Sequence, residues 1–262
     1  MSIRTVPASR GIEWIVKAIQ LILANPAPFA LMGLILAVIG IVPVLGSLAL
    51  AILGPALYGG IVWAARAQGQ GETARFEQLF QAFHEDGKLG PMLLLCLPGV
   101  IGGIVAALII VIALVVVAAG AGVSAAADSS IALWTSLGLG GVFLLVVVLA
   151  MAVVMFSLTF FAIPDVMLAR NDGFEAMKQS ARASRINIGA LLLYLLVVML
   201  AMFVVAGVLG LVSSLLAQFV VAVVAAPVIG VSMYLAWRDV YGDVTQELPM
   251  IPEPPDGGGM VA

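Results

Sequence analysis

The chain contains stretches without a charged side chain that are far longer than a helix or strand of a soluble domain. The 48 residues between Lys17 and Arg66 include no Asp, Glu, Lys, Arg or His, and neither do the 52 residues between Arg185 and Arg238. A bilayer core of about 30 Å is crossed by about 20 helical residues, so each stretch has room for two crossings. Because the runs lack the polar alternation of a barrel strand, they predict membrane-spanning helices.

The middle of the chain predicts two further crossings. From Leu89 to Pro164 the only charged residue is Asp128, which we expect in a loop between the third and fourth spans. The sequence therefore predicts an all-α, polytopic membrane helical bundle that forms a single domain over residues 1–241. The six predicted transmembrane helices are Pro26–Val42, Leu45–Ala65, Gly90–Ala119, Ile131–Ile163, Asn187–Gly210 and Leu216–Trp237. Residues 242–262, rich in proline, glycine and acidic side chains, are expected to form a disordered tail.

The basic residues predict which side of the membrane each loop faces. All eleven lie before the first span, between the second and third, between the fourth and fifth, or after the sixth. Loops rich in Lys and Arg stay on the cytoplasmic side of a membrane. We therefore expect both termini and the two long polar loops to face the cytoplasm.

Three polar segments resemble one another, which indicates an internal repeat. When the segments are aligned, Glu13, Glu77 and Glu175 occupy equivalent positions, and so do Asn25 and Asn187. Four residues before each glutamate stands a residue that can cap a helix: Ser9, Thr73 and Asn171. The three units, each an interfacial helix followed by a two-span hairpin, would cover residues 9–66, 73–170 and 171–238. The alternative is that short loops between membrane helices acquire this composition without being copies.

Each copy is also amphipathic, which is typical of a helix that lies in the membrane interface. The first copy places four apolar residues on one side: Ile12, Ile15, Val16 and Ile19. The second copy does so with Phe76, Leu79, Phe80 and Phe83. The third has a smaller apolar side, formed by Phe174 and Met177, and an opposite basic stripe of Lys178, Arg182 and Arg185. Because basic side chains attract anionic head groups, we expect these surfaces to bind membrane lipids or a partner protein.

The segment FFAIPDVMLARNDGFEAMKQSARASRIN, with its Pro-Asp exit, its Glu-Ala pair, Ser180 and Asn187, resembles a family of uncharacterised six-helix bacterial inner-membrane proteins. RGIEWIVKAIQLILANP and IVPVLGSLALAILGPALYGGIVWAARA resemble the same family, which is similar to the membrane domain fused to some glycerophosphodiester phosphodiesterases. The resemblance extends to Tyr241 and implies a fold and a bacterial inner membrane. It implies no activity, because the catalytic domain of those fusions has no counterpart here. Asp165 in this motif either binds the third interfacial helix or a neighbouring Arg, or is a solvated loop carboxylate.

The chain lacks the groups that most enzymes use. Its one histidine, His84, has only Glu85 and Asp86 beside it, and adjacent helical residues do not converge on one point. No phosphate-binding glycine loop, nucleophile elbow or zinc-protease motif is present. The one cysteine, Cys96, is expected to pack inside the third span. We therefore expect a non-enzymatic protein with no metal, no cofactor and no nucleic-acid partner.

The spans contain no ionisable side chain at mid-depth, so nothing marks an ion path. Their polar residues are expected to bond between helices: Thr135, Ser157, Thr159 and Gln218. The glycines of the third and fourth spans predict close helix packing: Gly99, Gly103, Gly138, Gly140 and Gly141. Pro43 and Gly46 predict the turn between the first two spans.

Three functions remain open at this stage. The favoured hypothesis is a membrane-organising or partner-binding scaffold whose interfacial helices form a cytoplasmic collar, with membrane lipids and a protein partner or a second copy as its contacts. The alternatives are a carrier for a lipid or another uncharged or amphiphilic substrate, and the membrane subunit of a larger complex. An apolar groove open to the bilayer would favour the carrier, whereas a tightly packed bundle would favour the scaffold.

Overall fold

The computed structural model describes residues 3–126, 130–169 and 172–242, and within these ranges it contains helices and turns but no strand. The helices are α1 (Arg10–Ala24), α2 (Pro26–Ile41), α3 (Leu45–Gly69), α4 (Gln81–His84), α5 (Leu89–Leu94), α6 (Cys96–Ala126), α7 (Ser130–Thr159), α8 (Ala162–Pro164), α9 (Gly173–Ile186), α10 (Ile188–Gly210) and α11 (Ser214–Tyr241). A 3-10 helix covers Phe76–Phe80 and a π-helical turn covers Asp165–Ala169. The all-α prediction is confirmed. Asp128 and residues 243–262 of the predicted tail lie outside the described residues.

Five segments are long and apolar enough to cross a membrane, and there are six if α1 and α2 count as one broken span. α1 and α2 meet at an angle of 109°. Helix α1 ends before Pro26 because the residue that precedes a proline is driven out of the helical conformation, and Pro26 then serves as the first residue of α2. Helices α2 and α3 begin at the predicted residues. The prediction of several spanning helices is therefore confirmed as five or six.

The turn between α2 and α3 lies where Pro43 and Gly46 predict it. The Leu45 N–H donates to the Pro43 carbonyl over 2.7 Å, and Val44 between them has φ 63° and ψ −60°. This is a γ-turn of the rare form that strains a side chain with a branched β-carbon. Gly46 has to be a glycine, because a β-carbon there would collide with the carbonyl of Ile39.

The well-packed core lies at one end of the bundle, which we call the polar end. It is built by residues 3–25, 66–88, 165–169, 172–187 and 238–242, the parts of the described chain that carry its charged side chains. The Arg4 N–H donates to the Val240 carbonyl over 2.8 Å, so the first described residues meet the end of α11 there. Several of the largest fully buried side chains lie in or next to this end: Trp14, Leu79, Met92, Phe160, Phe161 and Met167.

Close helix contacts in the core depend on glycines. A β-carbon at Gly33 in α2 would collide with the carbonyl of Val223 in α11, and one at Gly11 in α1 would collide with the carbonyl of Ala190 in α10. Small residues let helix backbones approach in a bilayer, where no water drives helices together. These positions therefore hold the first and third hairpins, α2–α3 and α10–α11, and α1 in one body.

The middle hairpin, α6–α7, is packed very differently. Its two helices contact each other, and α6 also contacts α3, but most of its surface faces outward. Large apolar side chains project from both helices, among them Ile104, Leu108, Phe143 and Leu145. Helix α7 also contacts α9, and a space remains between the hairpin and α3.

Candidate functional site

The space between α3, α6 and α7 is an apolar groove of about 500 Å³. We call it the groove. Helix α3 contributes one wall from Leu50 to Tyr58, α6 contributes Cys96 to Ala106, and α7 contributes Val148 to Thr159. All three walls belong to candidate spans, so the groove lies at the depth of the membrane rather than at the polar end.

Glycines create the groove. A β-carbon added at Gly54, Gly99 or Gly103 would meet no neighbouring atom within 4 Å. Gly102, which directly precedes Gly103, faces α7 instead. A β-carbon there would lie 2.8 Å from the Met155 side chain, so this glycine lets α6 approach α7. The expectation that Gly99 and Gly103 pack against another helix is therefore wrong. Gly138, Gly140 and Gly141 likewise have open space around them.

Few polar groups line the groove. The Thr159 hydroxyl donates to the Met155 and Phe156 carbonyls of its own helix, each over 3.3 Å, and Ser157 in the same helix donates to Val153 over 2.8 Å. Neither hydroxyl bonds to another helix, contrary to expectation, because a Ser or Thr hydroxyl can reach the carbonyl one turn earlier. Thr135 and Gln218 have no described side chains. Tyr58 is different, since its hydroxyl makes no hydrogen bond to any residue that the structure describes, although it lies close enough to Tyr194 for the two side chains to interact electrostatically.

An aromatic cluster closes the groove toward the core. Phe156, which lines the groove, stacks on Tyr194 with ring centroids 6.2 Å apart, and Phe160 lies 5.1 Å from the same tyrosine ring. Trp14 of α1 completes the cluster 6.3 Å from Phe160. The Tyr194 hydroxyl is close to Ser232 but forms no hydrogen bond of normal length within the described chain. The groove therefore ends on rigid aromatic rings.

At the polar end, three side chains bind the backbone of a segment far along the chain, and we call them the latches. Asn25 donates to the Ala74 carbonyl over 3.3 Å, just before the Phe76–Phe80 helix. Lys88 is 3% exposed and donates to the Val166 and Met167 carbonyls over 2.6 and 2.9 Å, just before α9. Asn187 accepts the Val6 N–H over 2.8 Å and donates to the Arg4 carbonyl over 3.1 Å, just before α1.

Two more polar contacts tie the polar end together. Asp165 is 1% exposed and accepts the Trp237 indole N–H over 3.3 Å, so it is not a solvated loop carboxylate. Ser180 bridges the break between α7 and α8, because it accepts the Phe161 N–H over 3.2 Å and donates to the Ser157 carbonyl over 2.7 Å. Both contacts satisfy backbone or ring groups that the bends leave without a helical partner.

The predicted lipid or partner surfaces are partly exposed and partly in the core. α1 shows an apolar stripe of Ile12, Val16, Ile19 and Leu23, of which Leu23 is the most exposed at 68%. Phe76, Phe80 and Phe83 are also exposed, and so are Phe174, Lys178, Arg182 and Arg185. Leu79 and Met177 are not available to lipid, because they are 0% and 8% exposed and belong to the core.

The repeated glutamates lie near helix starts, but Ser9 and Thr73 do not cap these helices as predicted. Glu13 pairs with Arg10 over 2.7 Å and with Lys17 over 3.4 Å, Glu175 pairs with Lys178 over 3.4 Å, and Glu77 is exposed. The Ser9 side chain makes no capping bond, and Asn171 lies outside the described residues. Thr73 was expected to cap a regular helix in the second copy. That copy is instead a 3-10 helix that begins at Phe76 and is followed by α4.

A polar cavity of about 650 Å³ lies beside Lys88, lined by Glu85, Asp86 and Asp172. Within the described chain, no group of three His, Cys, Asp or Glu side chains is arranged to hold a metal. His84 only contacts the Phe80 carbonyl, 2.9 Å away, at the protein surface.

Sequence reasoning missed Lys88, Gln68 and Tyr58. Lys88 was read only as a charge that sets the topology, although it stands directly before a span and one residue before Leu89, the position that aligns with Asn25 and Asn187. Gln68 accepts the Ala74 N–H over 3.3 Å and donates to the Leu21 carbonyl over 3.2 Å, which no pattern indicated.

Comparisons of this chain with protein-family models, with curated proteins and with solved structures find no match. The function therefore has to be argued from the groove and from the polar end.

Proposed function

We propose that this protein is a non-enzymatic, multi-pass protein of a bacterial inner membrane that binds a membrane lipid and acts as a carrier for it. The groove between α3, α6 and α7 is the observation that carries the proposal. Its walls come from apolar spans, so the medium that reaches it is hydrocarbon and not water.

The size of the groove suits one acyl chain. A methylene group occupies nearly the volume of a water molecule in the liquid, about 30 Å³. A groove of about 500 Å³ therefore has room for one chain of roughly sixteen carbons. Because lipid tails are as apolar as the walls, shape and polar contacts have to select the occupant.

We further propose the three-unit architecture, with both termini in the cytoplasm. The latches support it, since each stands at the end of one interfacial segment, directly before a span, and binds the backbone before the next one. The order is cyclic: Asn25 binds the backbone before the second interfacial segment, Lys88 binds the backbone before α9, and Asn187 binds the backbone before α1. Reporter fusions after Gly71 should report cytoplasm, and a fusion at residue 128 should report the outside; the reverse result would overturn this topology.

A scaffold role is the second candidate, and the exposed stripes of α1 and α9 favour it. Ile12, Val16, Ile19 and Leu23 can enter the interface, while Lys178, Arg182 and Arg185 can meet anionic head groups or an acidic partner. Co-purification in a mild detergent distinguishes the candidates. A stoichiometric protein partner supports the scaffold or a complex subunit, and one bound lipid per chain supports the carrier.

The carrier proposal is tested by filling the groove. Leucine at Gly99 or Gly103 has open space, so the fold should survive while the acyl chain is displaced. The matched control is Gly207→Leu in α10, which also has open space but does not line the groove. Native mass spectrometry should show one lipid on the wild type and on Gly207→Leu and none on the groove variants. Equal lipid retention by all four proteins would rule out the groove as the site.

A further inference from the structure

We propose that the Tyr58 hydroxyl recognises the ester carbonyl of a glycerolipid whose acyl chain occupies the groove. The inference rests on the lipid-binding function and names the chemical class of the ligand: ester-linked rather than ether-linked lipids. Tyr58 lies on α3 at the groove wall, and its ring is partly buried.

Among the side chains that line the groove, Tyr58 is the hydrogen-bond donor best suited to a lipid carbonyl. Thr159 already donates to two carbonyls of its own helix, and the Cys96 thiol is a weak donor. The Tyr58 hydroxyl has no hydrogen-bond partner among the described residues, although a buried hydroxyl in hydrocarbon normally finds one. A carbonyl oxygen that enters with the lipid would supply the missing acceptor.

The depth of Tyr58 in the membrane agrees with an ester carbonyl. Trp63 lies five residues further toward the polar end, about 7.5 Å along the helix. The Arg66 guanidinium lies 5.7 Å from the centre of the Trp63 ring, which is the arrangement of residues at a membrane interface. Tyr58 is therefore just below the head-group layer, where the ester groups of a lipid join its chains.

Pro55 inside α3 leaves an acceptor on the same wall. Pro55 has no N–H to donate to the carbonyl of Ala51, and both residues line the groove. The Ala51 carbonyl is farther from the polar end than Tyr58 by seven residues, about 10 Å. This carbonyl would lie beside the acyl chain of the lipid rather than beside its ester group, so it does not compete with Tyr58 for the same lipid group.

The test compares two probes on the full-length protein in detergent micelles. One is a phosphatidylcholine with ester-linked sixteen-carbon chains, and the other is its ether-linked counterpart, which lacks the carbonyl; native mass spectrometry measures how much of each remains bound. A neutral hydrogen bond corresponds to a preference of about three- to tenfold, so the wild type should bind the ester lipid more tightly by that factor. Tyr58→Phe should lose the preference and bind the ether lipid as the wild type does.

Controls separate this inference from the proposed function. Tyr241→Phe removes a buried hydroxyl that does not line the groove and should keep the ester preference. If the wild type binds both probes equally and Tyr58→Phe changes neither, the role of Tyr58 is wrong although lipid binding stands. If the wild type binds neither probe better than Gly103→Leu does, the lipid-binding function fails. A dimer cross-linked through the groove would overturn both, because a second copy would be the occupant.

Discussion

α3 and α11 differ from α6 and α7 in the medium that surrounds them. About half of the apolar window of α3 and of α11 is buried inside the protein, 50% and 56%, against 6% for the α6 segment and 0% for the α7 segment. The two buried helices are also the two least hydrophobic spans. In a bilayer, strong hydropathy therefore indicates contact with lipid, while small residues indicate contact with another helix.

The difference also explains where a binding site can form. Helices held by glycine contacts, such as α2 and α11 at Gly33, leave no space between them. The α6–α7 hairpin has one such contact, at Gly102, and the flanking Gly99 and Gly103 face open space. The open space at these two glycines is part of the groove beside α3.

The largest effect is expected from replacing a glycine by leucine, once at a glycine packed against another helix and once at a glycine that faces open space. In Gly33→Leu the side chain would collide with the backbone of α11, which cannot move without separating the hairpins. Overpacking costs about 1–3 kcal/mol and occasionally more, and here we expect more than about 3 kcal/mol, with loss of monodisperse protein. Gly140→Leu, which faces open space in α7, should leave the melting temperature unchanged. Equal yields and melting temperatures for the two variants would contradict the assignment of packed and lipid-facing helices.

The next effect concerns Lys88, a buried charge that ties the start of the middle hairpin to the segment before α9. Lys88→Met would leave the Val166 and Met167 carbonyls without this donor, at a cost of about 1–3 kcal/mol for a buried group. Lys178→Met, on the exposed face of α9, should change stability by less than about 0.5 kcal/mol. Thermal unfolding in detergent measures both. A Lys88 variant as stable as the Lys178 variant would show that the latch is dispensable.

A smaller effect is expected for the latch between the third and first units. Asn187→Ala would free the Val6 N–H and the Arg4 carbonyl, each half-buried, at about 1–2 kcal/mol in total. The first described residues should then become sensitive to limited proteolysis while the spans remain protected. Asn25→Ala, the equivalent change in the first unit, should leave cleavage near residue 6 as in the wild type. Identical cleavage of both variants would argue against separate latches.

The smallest expected effect is a gain. Val44→Gly would relieve the strained γ-turn between α2 and α3 and stabilise the fold by about 1 kcal/mol, because only glycine adopts that conformation freely. Val42→Gly, next to the turn but with an extended backbone, should give no gain. A rise of the melting temperature confined to Val44→Gly is the expected result, and a fall would show that Val44 makes a contact worth more than the strain.

Hydropathy and prolines were sufficient to predict where α2 and α3 begin, whereas the single helix predicted from Gly90 is divided into α5 (Leu89–Leu94) and α6, which begins at Cys96. Pro26 and Leu45 start helices as expected, because a proline and a tight turn act within a few residues. Helical spacing could not predict that Leu79 is buried while Phe80 is exposed, because the protein interior and lipid are equally apolar. Leu79 is buried because its backbone lies against Gly60 of α3. Helical spacing also could not tell Gly102 from Gly103, because which glycine faces α7 is decided by the rotation of α6.

The length of the middle hairpin has a mechanical consequence. α6 has 31 residues and α7 has 30, so each is about 45 Å long, whereas the hydrocarbon core is about 30 Å thick. A helix that exceeds the hydrocarbon thickness tilts or thickens the surrounding bilayer. Since α6 and α7 form two walls of the groove and α3 forms the third, a change of tilt alters the width between them. Lipid occupancy should therefore respond to bilayer thickness, and the protein would hold its ligand differently in membranes of short and long acyl chains.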